Sequence, residues 1–262
     1  VRGFKNSSVA NTWSAVYMGL ASYFDPNLPR NEGTFRSVEI IAPEGTIVNA
    51  KPPAAMTMNT VFVAHEIVHA IWKALGKALP ERSCAGWAKS IHGTTAGYYE
   101  SDTPFVMYHW NSAPGGGAVE GRDGFNQIGH LIALGGLVLP NIETYEQLYP
   151  VLFKRQEFRC DAAGPGKFRG GTGCDYEVDI NVGAEYAFRG EGLYCVSSFG
   201  AAGGREGEVG TMKITEGDTS AATEAPKYGI RHYGPVTMRA SSPGGGGWGD
   251  PLERGPESVL RD

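Results

Sequence analysis

Two features of this sequence carry residue types that could do chemistry. In VAHEIVHAIW (Val63–Trp72), His65, Glu66 and His69 spell H-E-x-x-H. Histidines four apart share a helical face and can hold one zinc ion. The glutamate between them can act as general base on a metal-bound water. The second feature is glycine, with 38 residues concentrated in Ala113–Gly124, Ala162–Gly173 and Ser241–Pro251. Such runs permit positive φ or close approach of the backbone to another group. They read either as loops gathered at a substrate or subunit face, or as tight turns between strands.

The elements that must position these residues follow from periodicity. Ser7-Ser8 can cap a helix whose stripe is Val9, Trp13, Val16, Tyr17, Leu20 and Phe24, ending at Asp25-Pro26-Asn27. SVEIIAPEGTIVN (Ser37–Asn49) reads as strand, turn and strand. Asn59-Thr60 opens a long helix to about Ala78. Beyond Thr103 the pattern becomes short strands between glycine loops: FVMYHW, VLFKRQEFR, DYEVDI, GLYCVSSF and PVTMRA. ETYEQLYPVL fits a short helix or a strand. The expectation is an α+β protein, helical in its first third and antiparallel β-rich in its C-terminal half, with an internal boundary near 140–150.

On the second helix, Ala64, Ile67, Val68, Ile71, Leu75 and Ala78 fall on one side, while Glu66, Lys73 and Lys77 fall on the other. That wheel leaves His65 and His69 half-exposed at the flank and Glu66 on a solvated face. The extended zinc pattern also fails, because Trp72 and Leu75 stand where Gly and His would be needed. No metal ligand is assigned to this chain. Other templates fail as well. GPGKFRGGTG is not a phosphate-binding G-x-x-x-x-G-K-[ST], and there is no G-x-S-x-G elbow.

Composition narrows the class. At 41% hydrophobic and 19% charged, 262 residues can bury a sizeable core. A net charge of −5 without a basic stripe argues against nucleic acid. The apolar stretches are far shorter than the roughly 18 residues of a membrane span, and no signal peptide is visible. Cys84, Cys160, Cys174 and Cys195 are scattered and read as reduced thiols of a cytoplasmic protein.

Three blocks carry a family resemblance: NEGTFRSVEIIAPEGTIVNAKPPAA (Asn31–Ala55), DAAGPGKFRGGTG (Asp161–Gly173) and SPGGGGWGDPLERGPESVLRD (Ser242–Asp262). In type and order they resemble the hydantoinase B/oxoprolinase family, and specifically the C-terminal half of its members. The resemblance implies a subunit of an ATP-dependent enzyme that opens cyclic amides or carboxylates ketones. The expected partners are a hydantoinase A-like subunit carrying ATP and Mg, and the counterpart of the N-terminal half. Any catalytic metal, such as zinc or manganese, is expected on another chain, because the half that carries the metal cluster in several relatives is not in this sequence. The initial valine fits either a separately encoded half or a fragment.

Within the family, PNIETYEQLYP (Pro140–Pro150) looks more like the acetone/acetophenone carboxylase branch than the hydantoinase-like one. Carboxylation of a ketone with bicarbonate is therefore the expected reaction. ATP-dependent cyclic amide hydrolysis, of the hydantoinase, 5-oxoprolinase or lactamase type, is the alternative, and a non-catalytic architectural subunit is a third. Either reaction needs preorganised donors for oxyanions and groups that hold phosphate or carboxylate. Gly115, Gly116 and Gly117, with Lys167 and Arg169, are the candidates for substrate or phosphate binding. Glu32, Arg36 and Glu39 are the candidates for catalysis, although Arg36 and Glu39 could simply pair. The aromatic residues of the first 110 positions suit an interface, a pocket or a core.

Overall fold

The structure, a computed structural model, describes residues 2–91, 93–133, 137–217 and 221–262. The chain divides into two units, Val1–Cys84 and Ala85–Asp262. The boundary expected near 140–150 falls inside the second unit, on its only described α-helix before the C-terminal segment.

The first unit is helical. Helix α1 spans Val9–Ala21, with the Ser8 hydroxyl accepting from the Asn11 N–H as its N-cap. A π-helical turn, Thr60–Ala64, leads into α2, His65–Leu75. The two helices pack closely at Gly19, where an added Cβ would lie 2.9 Å from the Ile71 side chain. The Trp72 indole donates to the Gly19 carbonyl at 3.2 Å and to the Ser22 hydroxyl at 2.8 Å. These bonds turn the 65/68/69/72 face of α2 inward.

The wheel reading is corrected there: His65 and His69 are not half-exposed but 1% and 4% exposed. Their Nε2 atoms approach to 3.0 Å. The expected hairpin over Ser37–Asn49 is also absent. That segment is turns and irregular chain with one isolated bridge, Thr46 to Asn49. Ile41, 81% exposed, finds no sheet to cover it.

The second unit is built on two antiparallel sheets. Strands β1 (Gly93–Tyr98), β2 (Pro104–Tyr108), β5 (Ala184–Arg189) and β8 (Tyr228–Tyr233) form one, in the order β2-β1-β5-β8. Strands β3 (Val151–Phe158), β4 (Cys174–Ile180), β6 (Thr211–Glu216), β7 (Thr223–Glu224) and β9 (Val236–Ser241) form the other, in the order β3-β4-β9-β6-β7. Strands β4, β5 and β9 alternate buried with less buried residues, as period-2 side chains on a half-covered sheet must. Phe105, Met107, Tyr186 and Phe188 from the first sheet share one core with Tyr176, Val178, Ile180, Met212, Ile214 and Met238 from the second.

Helix α3 (Ile142–Leu148) resolves the ambiguous ETYEQLYPVL into a helix followed by β3. The last helix, α4, spans Pro256–Arg261. GLYCVSSF forms no strand; its Leu193 makes a single bridge to Gly210. No described helix is long and apolar enough to cross a membrane.

Candidate functional site

Next to the sandwich, the three glycine runs come together. The first run holds one tight turn, Val119–Arg122, with Gly121 at φ +84°; most of the rest is neither turn nor open loop. The runs are otherwise extended segments hydrogen-bonded to one another, with Ser242–Pro243-Gly244–Gly247 buried at the centre. The N–H groups of Gly244, Gly245, Gly246 and Gly247 donate in turn to the carbonyls of Glu208, Gly171, Gly86 and Arg205. Four successive donors thus reach three segments, Gly244 and Gly247 both meeting the 205–208 stretch, as in a threefold extended helix rather than a flat sheet, where donors lie on two sides.

Around this centre, Gly115 donates to the Pro243 carbonyl at 3.0 Å, Gly116 to that of Phe125 at 2.9 Å, and Gly171 to that of Gly116 at 2.8 Å. The absence of side chains is obligatory. A Cβ on Gly115 would lie 1.9 Å from the Gly171 carbonyl oxygen, and one on Gly245 2.0 Å from that of Gly116. Gly115 and Gly116 are therefore beside Gly170 and Gly171, as a common site would require, but their N–H groups already serve the main chain.

Lys167 and Arg169 sit at the margin of this bundle and meet the C-terminal segment. Lys167 Nζ pairs with Glu253 at 3.0 Å, and Arg169 Nε with Asp262 at 3.2 Å. Between them, Arg254 binds Asp123 with both terminal nitrogens, at 2.9 and 2.8 Å, and Asp262 through Nη2 at 2.7 Å. It also donates to the Lys167 carbonyl at 3.0 Å. Burial pushes the Asp123 carboxyl up, but the Arg254 hydrogen bonds and charge, with the Arg169 N–H, outweigh it and hold the carboxyl below its ordinary range. A substrate carboxylate or phosphate at Lys167 and Arg169 would have to displace these internal carboxylates. These residues do not form a free phosphate cradle, so no step through ATP is assigned to them.

Where the bundle meets the sandwich lies a buried polar cluster that the sequence did not reveal. The Asn111 carbonyl accepts from Gln127 Nε2 at 3.1 Å, Gln156 Nε2 at 2.9 Å and the Cys174 thiol at 3.1 Å. Ser242 accepts from the Cys174 N–H and donates to the Ala113 carbonyl. Burial pushes the Cys174 thiol up to about 11, so it stays protonated. Nearby, His109 lies between the Tyr176 hydroxyl at 2.6 Å and the Thr95 hydroxyl at 2.7 Å. His130 meets the Ser90 hydroxyl at 2.7 Å. Burial lowers both imidazoles to about 4, so both are neutral at pH 7. Neutral, enclosed groups of this kind hold elements in register rather than carry charge. A lone histidine beside Trp110, or between Gly129 and Leu131, gives no sequence signal of that role.

The remaining candidates lie in the first unit. Glu32, Arg36 and Glu39 are all exposed, on a turn-rich segment and its extension. No ion pair joins Arg36 to Glu39 among the described residues. Also among the described residues, no group of three or more His, Cys, Asp or Glu side chains is placed to hold a metal. Changing His65 and His69 together to Gln is accordingly expected to leave the metal content of an assembled complex unchanged. Elemental analysis showing the loss of one zinc per chain would restore the metal reading of H-E-x-x-H.

Comparison with known proteins agrees with this architecture. Residues 1–251 match the family described as Hydantoinase B/oxoprolinase. The chain is 32% identical to the caprolactamase subunit beta of Pseudomonas jessenii, over 99% of this chain and 46% of that protein. The solved ATP-dependent caprolactamase from the same organism superposes with a TM-score of 0.86 at 30% identity, covering 99% of this chain and 46% of that one. A nucleotide-free acetone carboxylase structure superposes with a TM-score of 0.77 at 20% identity, over 98% of this chain and 39% of that one, a likeness of fold alone. The chain spans less than half the length of the first curated relatives it matches. On these grounds it belongs to the hydantoinase B/oxoprolinase family.

Proposed function

We propose that this chain supplies the rigid half of a B-type subunit in an ATP-dependent enzyme that opens a cyclic amide, with ATP and Mg held by a hydantoinase A-like partner. The observation that carries the reading is the likeness, across nearly the whole chain, to the caprolactamase subunit. The glycine bundle suits a scaffold. Its donors are committed to the main chain, so it fixes the positions of rim groups instead of binding phosphate itself.

In this reading, ATP makes a poorly electrophilic amide reactive, and water then completes ring opening. Lys167 and Arg169 are the groups of this chain that could take a substrate carboxylate or phosphate in exchange for Glu253 and Asp262. Glu32 and Glu39 gain acid–base roles, and Arg36 a role in holding phosphate or carboxylate, only where another chain covers them.

Ketone carboxylation is the second reading, and PNIETYEQLYP is what favours it. The structure gives that motif a local role. Asn141 caps α3 by accepting from the Thr144 N–H, Tyr145 donates to the Tyr108 carbonyl at 3.1 Å, and Glu146 accepts from the Phe153 N–H at 2.7 Å. A motif that docks a helix is weaker evidence for a reaction.

The test is an assay of the assembled complex with ATP and two substrate sets: lactams, hydantoins and 5-oxoproline without bicarbonate, and acetone and acetophenone with labelled bicarbonate. The expected result is ATP turnover with a cyclic amide and release of a ring-opened acid. ATP turnover with a ketone and label fixed in a β-keto acid would sink the amide reading in favour of the carboxylase.

A further inference from the structure

Cys195 and Lys227 stand apart from the clusters above. Lys227 Nζ lies 2.9 Å from Cys195 Sγ, and the thiol points at the Glu191 carbonyl at 3.6 Å. This is not a chance meeting of two free side chains, because the main chain around both is pinned. The Gly190 N–H donates to the Lys227 carbonyl at 2.8 Å. The Tyr194 hydroxyl lies 2.6 Å from the Met212 carbonyl oxygen and 2.9 Å from that of Ala225, its one hydrogen shared between them. Tyr228 donates to the Glu191 carboxylate. Of the four free thiols, Cys84 and Cys174 are buried, while Cys160 and Cys195 are exposed. An oxidant therefore reaches two sulfurs, and one of them already has a primary amine against it.

We propose that Cys195 and Lys227 form a peroxide-triggered covalent cross-link, a sulfenamide, that ties the 190–196 loop to the start of β8. In the first step the Cys195 sulfur attacks hydrogen peroxide. The O–O bond breaks, a sulfur–oxygen bond forms, and the thiol becomes a sulfenic acid with release of one water. Sulfur gives up two electrons and peroxide takes them. In the second step the Lys227 amine, in its neutral form, attacks the same sulfur. The sulfur–oxygen bond breaks, a sulfur–nitrogen bond forms, and the hydroxyl leaves with an amine proton as a second water. Overall, Cys–SH, Lys–NH2 and H2O2 give Cys–S–NH–Lys and two waters. A sulfenic acid condenses in this way with whichever nitrogen or sulfur nucleophile is held closest, and here the nearest one is fixed by the fold. An excess of small thiol reopens the bond by attack on sulfur, returning the free amine and then the free thiol.

Cys160 provides the control. It is also exposed, and among the described residues it has no lysine in hydrogen-bond contact. The test treats the soluble, size-exclusion-purified chain with hydrogen peroxide and maps peptides by mass spectrometry, with a carbon-acid probe for sulfenic acid present. The wild-type protein should yield a Cys195–Lys227 peptide pair lighter by about 2 Da than the sum of its parts, lost again on adding thiol, while Cys160 takes the probe. In Lys227→Gln, a surface substitution, probe labelling of Cys195 should rise at least about fivefold, since the sulfenic acid then has no amine to capture it. Equal labelling of Cys195 in the two proteins, or sulfinic acid at Cys195 with Lys227 unmodified, overturns the proposal.

Discussion

Gly245→Ala is expected to destabilise the second unit by at least about 3 kcal/mol, the upper part of the range for overpacking a well-filled interior. The new methyl would lie 2.0 Å from the Gly116 carbonyl oxygen and 2.4 Å from its carbon. Both belong to the main chain, so no rotamer change relieves the clash. Gly116 cannot retreat alone, since its carbonyl accepts from Gly171 and its N–H donates to Phe125. For a unit of this size the loss corresponds to a fall in Tm of roughly 6–12 °C. Gly183→Ala is the matched comparison. It is exposed, and its Cβ would meet only the Tyr233 carbonyl oxygen at 3.7 Å, an ordinary contact. Its effect should stay within about 0.5 kcal/mol. Thermal melts of the two variants decide the matter. Similar melting points would mean that the segments can slide apart, and that the bundle is not the rigid core described.

The second large effect is a loss of stability in mild acid. His109 and His130 are 3% and 5% exposed, and burial lowers each to about 4 against about 6.5 in an unfolded chain. Between those values the unfolded chain binds protons that the folded chain does not, so stability falls as pH falls. Above about 6.5 both states are neutral and nothing changes; below about 4 the loss is complete. At 1.36 kcal/mol per pH unit, each histidine accounts for up to about 3 kcal/mol. Asp123, held below its ordinary range, acts in the same direction at lower pH. Its contribution is full above about 4, the unfolded carboxylate value, and is lost as pH falls through the lower folded value, after the histidine window has closed. Urea titrations at a series of pH values should show the slope, and a His109→Gln/His130→Gln variant should flatten most of it whatever its stability at pH 7. An unchanged slope in that variant would place the acid sensitivity elsewhere.

How much of this was legible in the sequence depends on the element. DYEVDI and PVTMRA alternate cleanly and became β4 and β9, and Ser8 capped α1 as its type and place suggest. Strand β1, Gly-Thr-Thr-Ala-Gly-Tyr, was missed because small residues give little alternation to read. SVEIIAPEGTIVN had the right composition for a hairpin but no sheet to join, and propensity without cross-strand partners does not make a strand. The histidines of α2 were misjudged because a wheel ranks residues by polarity, whereas Trp72 and its bonds to Gly19 and Ser22 set which face turns inward. The glycine runs were visible as runs, but glycine permits turns, loops and close packing alike. The clue was four glycines in a row without the Asn or Asp that usually accompanies turns. Lys167 and Arg169 were singled out as anion-binding types, and in the fold both pair with carboxylates of this chain. Their partners, Glu253 and Asp262, lie far along the chain and could not be read from spacing.

The order in which the bundle's segments leave the ribosome has a consequence of its own. The outer segments, at Gly86, Gly115, Gly171 and Arg205, are all synthesised before the central one, Pro243–Gly247, which accepts or satisfies their hydrogen bonds. Until that last piece emerges, their main-chain groups have no common partner, and short-range contacts cannot replace it. Such a topology folds late and slowly. A stalled nascent chain ending shortly before Pro243 should therefore remain sensitive to protease throughout its glycine segments, and should depend on chaperones in a way that one extended past Trp248 does not.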